Sequence, residues 1–336
     1  MATSWVPSAP TLRFSPAVAD ALIGSEMAIA VTGVGGWLGR ATLEMLDQAL
    51  GTVALGSRVT VFASARRTIA LRSGSTVEAS PLTELATDGR LAATPHLLAH
   101  YAFLTREHVH DDPPGAYLSQ NRAISDLVAT HVERAPVTAA FVPSSGAVYG
   151  PDGLVQDDVE RNPYGALKLA DEQRFLSLRA STGTRRVVVF RVFNLAGPFL
   201  NKPERYALGS ILMDVARGGP VRLVSDHQVI RSYVHVRDVI DLAIASMLGI
   251  GPVPSGPIDT AGDREVEVED LAELALKVLG HPRLPIIRPT MSAPPDRYVG
   301  DGSGFASLAS SCGVALAPLE AQITDTARYL GAWGAA

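Results

Sequence analysis

Tyr164 and Lys168 stand four residues apart, and on a helix that spacing puts both side chains on one face. A free tyrosine has a pKa of about 10 and is a poor base near neutral pH. A neighbouring ammonium favours the phenolate and is expected to pull that pKa down. Ser144 and Ser145 end a strand-like run upstream. The Ser145 hydroxyl is therefore expected to hydrogen-bond a substrate oxygen that gains or loses a proton. Ser145, Tyr164 and Lys168 are the candidate catalytic residues, Ser145 also touching substrate.

A second motif lies about 130 residues earlier. Thr32-Gly33-Val34-Gly35-Gly36-Trp37-Leu38-Gly39 follows the apolar run Ala28-Ile29-Ala30-Val31. Gly33 would allow a tight strand-to-helix turn, Gly36 a close approach to a pyrophosphate, and Gly39 close helix–sheet packing. The phosphates would sit at the N-terminus of the following helix, where free N–H groups and the dipole favour an anion. Gly33, Gly36, Trp37, Leu38 and Gly39 are assigned to cofactor binding, with the Trp37 ring expected to pack rather than touch ligand. Together the two motifs point to nicotinamide redox chemistry, in which Lys168 would also hold the nicotinamide ribose and the positive nicotinamide ring would join it in favouring the Tyr164 phenolate. The next strand ends Phe62-Ala63-Ser64-Ala65-Arg66-Arg67, with no carboxylate to bond the ribose hydroxyls of NAD. Guanidinium groups recognise phosphate through paired, charge-assisted bonds. NADP(H) is therefore favoured, with NAD(H) possible, and Ser64 and Arg66 or Arg67 are placed on the 2′-phosphate.

The elements that would carry these residues alternate. Helical spacing runs from Leu38 to Leu50, from Tyr117 to Glu133 and from Tyr164 to Ala180. Strand-like runs cover 58–63, His96–Phe103, Val137–Val142 and Arg186–Phe193. Such alternation implies an α/β fold, a Rossmann-like doubly wound parallel sheet. Ligands bind at the C-terminal strand ends of such a sheet. The expected domains are an N-terminal extension over 1–26, lying on or beside the fold, and a dinucleotide-binding domain over 27–195, to which segments near 230–262 return. A smaller, mainly substrate-binding lobe covers 196–336.

The ordered series of motifs resembles the extended short-chain dehydrogenases/reductases, the group of nucleotide-sugar epimerases, dehydratases and ketoreductases. It comprises the glycine turn, His100-x-Ala102, Asn121, Ser145 before Val148-Tyr149-Gly150, Tyr164-x-x-x-Lys168, Arg191-Val192-Phe193-Asn194 and Arg231-Ser232-Tyr233-Val234-His235-Val236-x-Asp238. The resemblance implies the Ser145–Tyr164–Lys168 triad, with Asn121 in support, and adds Tyr101, Ala102 and Asn121 to the cofactor site. It implies that Asn194 and Arg231 hold a nucleotide-sugar diphosphate, with Arg297 and Tyr298 closing over the nucleotide. The alternative for Arg231 is a salt bridge with Asp238. Gly146 and Ala147 depart from the 4,6-dehydratases, which carry Asp-Glu there, so dehydration of that type is disfavoured. The expected function is an NADP(H)-dependent keto-sugar reductase acting on a nucleotide-activated sugar. The alternative is a 4-epimerase with tightly bound NAD(P), and a non-catalytic cofactor-binding module stays in view.

The bulk composition excludes other classes. Net charge is -5 with no long basic run, so no nucleic-acid partner is expected. No apolar run approaches the ~20 residues that span a bilayer, so no membrane partner is expected and a cytoplasmic protein is the default. Cys312, the one cysteine, reads as a buried small hydrophobe. The helices 117–133 and 164–180 would permit a homodimer through a four-helix bundle, as the resemblance suggests. His108-x-His110-Asp111-Asp112 has a plausible ligand spacing but reads as a polar loop, so no metal is expected. The acidic run Glu265–Asp270 reads as a helix N-terminus with a solvated face.

Overall fold

A computed structural model describes residues 12–109, 115–182 and 185–331. Its largest sheet contains seven longer strands: β1 (Ala28–Thr32), β2 (Val59–Ala63), β3 (Arg67–Ala70), β4 (Thr76–Pro81), β5 (His96–His100), β6 (Val137–Ser145) and β7 (Arg186–Val192). All five residues of β1 and of β5 are buried, as befits central strands covered on both faces. The two-residue strand Ile258–Asp259 closes one edge beside β7. From there the order runs β7, β6, β5, β1, β2, β4, β3, parallel except for β3. The order reverses at β1, which pairs with β2 on one side and β5 on the other, so a crevice opens there above the C-terminal strand ends.

Ten helices are described: α1 (Pro16–Ser25), α2 (Trp37–Arg58), α3 (Gly89–Ala93), α4 (Ala116–Arg134), α5 (Pro163–Thr182), α6 (Ala207–Ala216), α7 (Val236–Leu248), α8 (Val268–Val278), α9 (Ser303–Ser311) and α10 (Leu319–Tyr329). Helices α2 and α7, with α1 across them, cover one face of the sheet, and α4 and α5 the other. A separate apolar core joins α6, α8 and α10. This core supports a small sheet in which Val229–His235 pairs with Glu265–Glu267, Asp296–Tyr298 and Asn194–Ala196.

Two segments depart from expectation. Helix α2 does not stop at Leu50 but continues through a kink at Gly51, whose φ of 71° is left-handed. The strand expected over His96–Phe103 ends at His100, because the backbone N–H groups of Tyr101 and Ala102 turn back onto the carbonyl and hydroxyl of Thr32. The acidic run Glu265–Asp270 caps α8 as expected and leaves Glu265 and Asp270 exposed, while Glu267 is drawn into contacts. Arg288 donates to Glu267 and Glu269, and Glu267 also caps α8 by accepting from the Glu269 N–H. The His110–Asp112 part of the polar loop lies outside the described residues. Among those described, no group of three potential ligands that could hold a metal occurs, and no helix is long and apolar enough to cross a membrane.

The segment before β1 is more than a surface extension over its described part. Leu12, Phe14, Val18 and Leu22 are buried in the main core. The backbone N–H and hydroxyl of Ser15 donate to the Asp241 carboxylate on α7, and Arg58 donates to the carbonyls of Leu22 and Met27. Leu22→Ala should therefore cost about 2–5 kcal/mol of stability, read by denaturant unfolding. Burial pushes the Asp241 carboxyl up to about 6, although Ser15 opposes this. A carboxyl raised in the folded state adds stability below its unfolded pKa and loses it as pH rises through the folded one. The stability of the wild type relative to Asp241→Asn should fall between about pH 4 and pH 6. A flat difference across that window would mean that Asp241 is ionised throughout.

Candidate active site

The glycine turn is shaped by close backbone approach. Gly33 has φ of 70°, and a Cβ there would lie 2.5 Å from the Tyr101 and Ala102 backbone. A Cβ on Gly39 would strike the Gly33 carbonyl, so α2 packs directly on the turn. Gly36 is the N-cap of α2 and no side chain caps it, which turns the first N–H groups of the helix toward the groove. Trp37 packs as expected: its indole N–H donates to the Pro198 carbonyl at 2.6 Å, and its ring meets Tyr206 edge-on.

Residues Gly36 to Gly39, with Tyr101, Ser144, Tyr164 and Lys168, line a groove of about 230 Å³. The Ser144 hydroxyl in its wall is buried with no partner among the described residues. An orphaned hydroxyl, an uncapped helix N-terminus and a lysine in one groove fit a phosphate- and ribose-bearing cofactor.

The end of β2 separates the two arginines. Arg66 donates to both oxygens of Glu84 at 2.7 Å. Arg67 begins β3, and its guanidinium lies 3.2 Å from where a Cβ of Gly35 would be. The β3–β4 hairpin, which sequence periodicity did not reveal, turns Arg67 back over the glycine loop. Ser64 is exposed beside it.

Several expected ligand residues instead support other parts of the site. The Asn121 side chain accepts from Leu104 N–H and donates to the Leu104 and Tyr117 carbonyls, fixing the loop after β5. The Tyr101 hydroxyl accepts from Thr42 on α2, and Ala102 is held by Thr32. His100 Nδ1 lies 2.8 Å from the Thr32 hydroxyl, and burial pushes the imidazole down to about 3, so it is neutral.

Ser145, Tyr164 and Lys168 converge where β6 meets α5. The Ser145 hydroxyl accepts from Ala147 N–H and favours the ionised forms of two phenols, Tyr164 and Tyr298. The expected lowering of the Tyr164 pKa is not what the protein alone produces. Burial pushes it up to about 12, against the help of Ser145 and Arg106. The lysine is directed elsewhere: its Nζ donates to the Pro143 carbonyl at 3.0 Å and lies 3.7 Å from the Phe103 ring centroid. Burial draws Lys168 down to about 8, while Asp171 and Glu172 hold it up.

A wider cleft of about 1240 Å³ opens beyond Ser145, lined by Arg106, Gly146, Ala147, Tyr149, Asp259 and Tyr298 among others. Gly146 is required there, because a Cβ would enter the Phe193 ring. Behind this wall, Arg191 donates to both oxygens of Glu172 on α5 and to the Tyr149 hydroxyl, and Tyr149 donates to Asp259. Arg231 pairs with Asp296 at 2.6 Å rather than with Asp238, whose carboxylate accepts from Arg237 and from Ala317 N–H. Asn194 donates to the Ser232 and Tyr298 carbonyls and so ties strands of the small sheet together. Arg297 is exposed and pairs with Glu265. Phe103 and Arg106 were not singled out from sequence. The Phe103 signal was present, as an aromatic residue directly after His100-x-Ala102.

The UDP-glucose 4-epimerase of Azospirillum brasilense is 28% identical over 245 residues, 66% of this chain and 68% of that protein. Among solved structures, a UDP-N-acetylglucosamine 4-epimerase from Methanobrevibacter ruminantium M1, in complex with UDP-N-acetylmuramic acid, superimposes with a TM-score of 0.69 at 19% identity. It covers 90% of this chain and 98% of that one. RMD from Pseudomonas aeruginosa, complexed with NADPH, gives 0.66 at 21% identity over 91% and 98% of the two chains. At those identities the two structures establish the fold. A family model matches residues 29–250, and the chain belongs to the NAD dependent epimerase/dehydratase family.

Proposed function

We propose that the protein transfers hydride to and from a nucleotide-activated sugar, with Tyr164 exchanging the accompanying proton. The observation that carries this reading is the meeting of Tyr164 and Lys168 in a groove that begins at an uncapped helix N-terminus, with Ser145 acting on the Tyr164 phenol from the end of β6. The domain division follows the same logic: 27–195 and the returning segments build the cofactor side, and 196–336 mainly the substrate side.

A bound nicotinamide supplies hydride exchange at its C4 and, when oxidised, a positive charge. The N–H groups of the first turn of α2 bind the diphosphate beside Gly36. Arg67, with Ser64, binds a 2′-phosphate, which favours NADP(H). Arg66 is committed to Glu84, but an exposed ion pair contributes only about 0–1 kcal/mol and can be exchanged. Lys168 binds the ribose hydroxyls. Tyr164 takes the proton of a sugar hydroxyl or returns it to a keto oxygen. With its phenol raised by burial, it depends on positive charge brought into the groove to become a base. Ser145 holds the reacting oxygen and stabilises its partial charge. Arg231 grips the sugar diphosphate in exchange for Asp296, supported by Asn194. Arg297 would reach it only by releasing Glu265.

Epimerisation is the outcome supported by the 28% identical relative, and it needs no acid beyond Tyr164. Reduction of a keto sugar is the second reading, and Arg67 favours it because cells keep the NADP pool reduced. Incubation with UDP-glucose or UDP-galactose, followed by sugar NMR and absorbance at 340 nm, separates them. Interconversion without net change in reduced cofactor supports epimerisation, and stoichiometric consumption with a keto sugar supports reduction. Tyr164→Phe should lower turnover by about 10²–10⁴-fold while cofactor still binds. Unchanged turnover would remove Tyr164 as the base. Arg67→Ala should weaken NADP(H) about 10–100-fold and leave NAD(H) unaffected. Equal loss for both cofactors would refute the 2′-phosphate contact.

A further inference from the structure

Phe103 occupies a position between three parts of the site. Asn121 fixes the backbone of the next residue, Leu104. The Phe103 ring meets Tyr164 edge-on, with centroids 5.8 Å apart and planes at 80°. Its face points to Lys168, with Nζ at 3.7 Å from the centroid. It also borders both the cofactor groove and a cavity of about 340 Å³ between α4 and α5.

Lys168 is 7% exposed, yet no carboxylate lies within ion-pair distance of Nζ among the described residues. Asp171 and Glu172 on α5 support its charge from beyond contact distance. Glu172 is paired with Arg191 on β7, and Asp171 is eased by Lys168 and by Ser125 on α4. His100 on β5 is neutral, and Tyr117 on α4 is raised by burial and by Tyr164. Glu107 and Lys202, on the groove's outer side, pair with each other. In direct contact the ammonium has one carbonyl and one aromatic face. A desolvated ammonium over a ring face is among the stronger forms of that interaction.

We propose that Phe103 is a positioning residue of the active site, whose ring face keeps the Lys168 ammonium charged and aimed across the groove beside Tyr164. With one N–H on Pro143 and one toward the ring, the third is left for an acceptor in the groove. The catalytic meaning of this arrangement rests on the hydride-transfer reading above. The electrostatic claim can be measured without substrate.

The test is titration of the Lys168 Cε resonance in ¹³C-lysine-labelled protein, assigned with Lys168→Met, in the wild type, Phe103→Leu and Phe103→Tyr. Leucine keeps most of the bulk and loses the π face, whereas tyrosine keeps both. In Phe103→Leu the midpoint should fall by about one unit, a tenfold change in proton affinity, and Phe103→Tyr should stay with the wild type. The alkaline limb of the kcat profile should move down by the same amount in the leucine variant alone. A leucine midpoint equal to the wild-type value, or a tyrosine variant that shifts as far as leucine, overturns the proposal. Normal titration shifts without turnover on any nucleotide sugar would instead count against the functional reading.

Discussion

The site depends on a steric constraint at Gly33. The turn after β1 lies so close to the backbone of Tyr101 and Ala102 that a Cβ has no room, and Gly39 repeats the restriction from the helix side. These contacts set the start of α2 beside the end of β5. The helix N-terminus, the loop carrying Phe103 and the end of β6 then open onto one groove. A side chain at either glycine would push the N-terminus of α2 away from the lysine and tyrosine on α5. Backbone proximity, rather than a particular side-chain bond, thus brings the helix N-terminus, Tyr164 and Lys168 to one groove.

A second layer of polar contacts holds that arrangement. Arg191 bridges Glu172 on α5 and Tyr149 after β6, and Tyr149 continues to Asp259 on the edge strand. Burying such a pair is costly unless every polar group is used, and here the carboxylate takes both guanidinium bonds. Asn194 performs a similar function within the small sheet through the Ser232 and Tyr298 carbonyls. Helix α5 and the edge strand, and the strands of the small sheet, are therefore fastened by the protein's own contacts.

The parts legible in the sequence were those set by short-range spacing. The alternation of strands and helices, the glycine turn and the shared face of Tyr164 and Lys168 all follow from residues within a few positions of one another. The parts not legible depend on distant partners. Nothing near Arg66 and Arg67 distinguishes them. Glu84 is 18 positions from Arg66, and the hairpin that returns Arg67 to Gly35 has little periodic signal. Arg231 meets Asp296 across 65 residues, not the nearby Asp238. The raised phenol of Tyr164 in the protein alone was hidden for another reason: spacing reports a neighbouring charge but not depth of burial, and burial dominates here. The segment 12–25 read as an extension on or beside the fold because of the scattered prolines around it, although Leu12, Phe14, Val18 and Leu22 all enter the core.

The Phe193 ring beside Gly146 also limits the changes open to this chain over evolutionary time. The space that an acidic side chain at position 146 would need is already filled by the ring. A single codon change at Gly146 would lose packing before it gained any proton chemistry. A lineage moving toward elimination would first have to shrink Phe193, which stacks on Tyr149 and touches Tyr298. The two positions are thus coupled, because a side chain at 146 and the ring at 193 compete for one space.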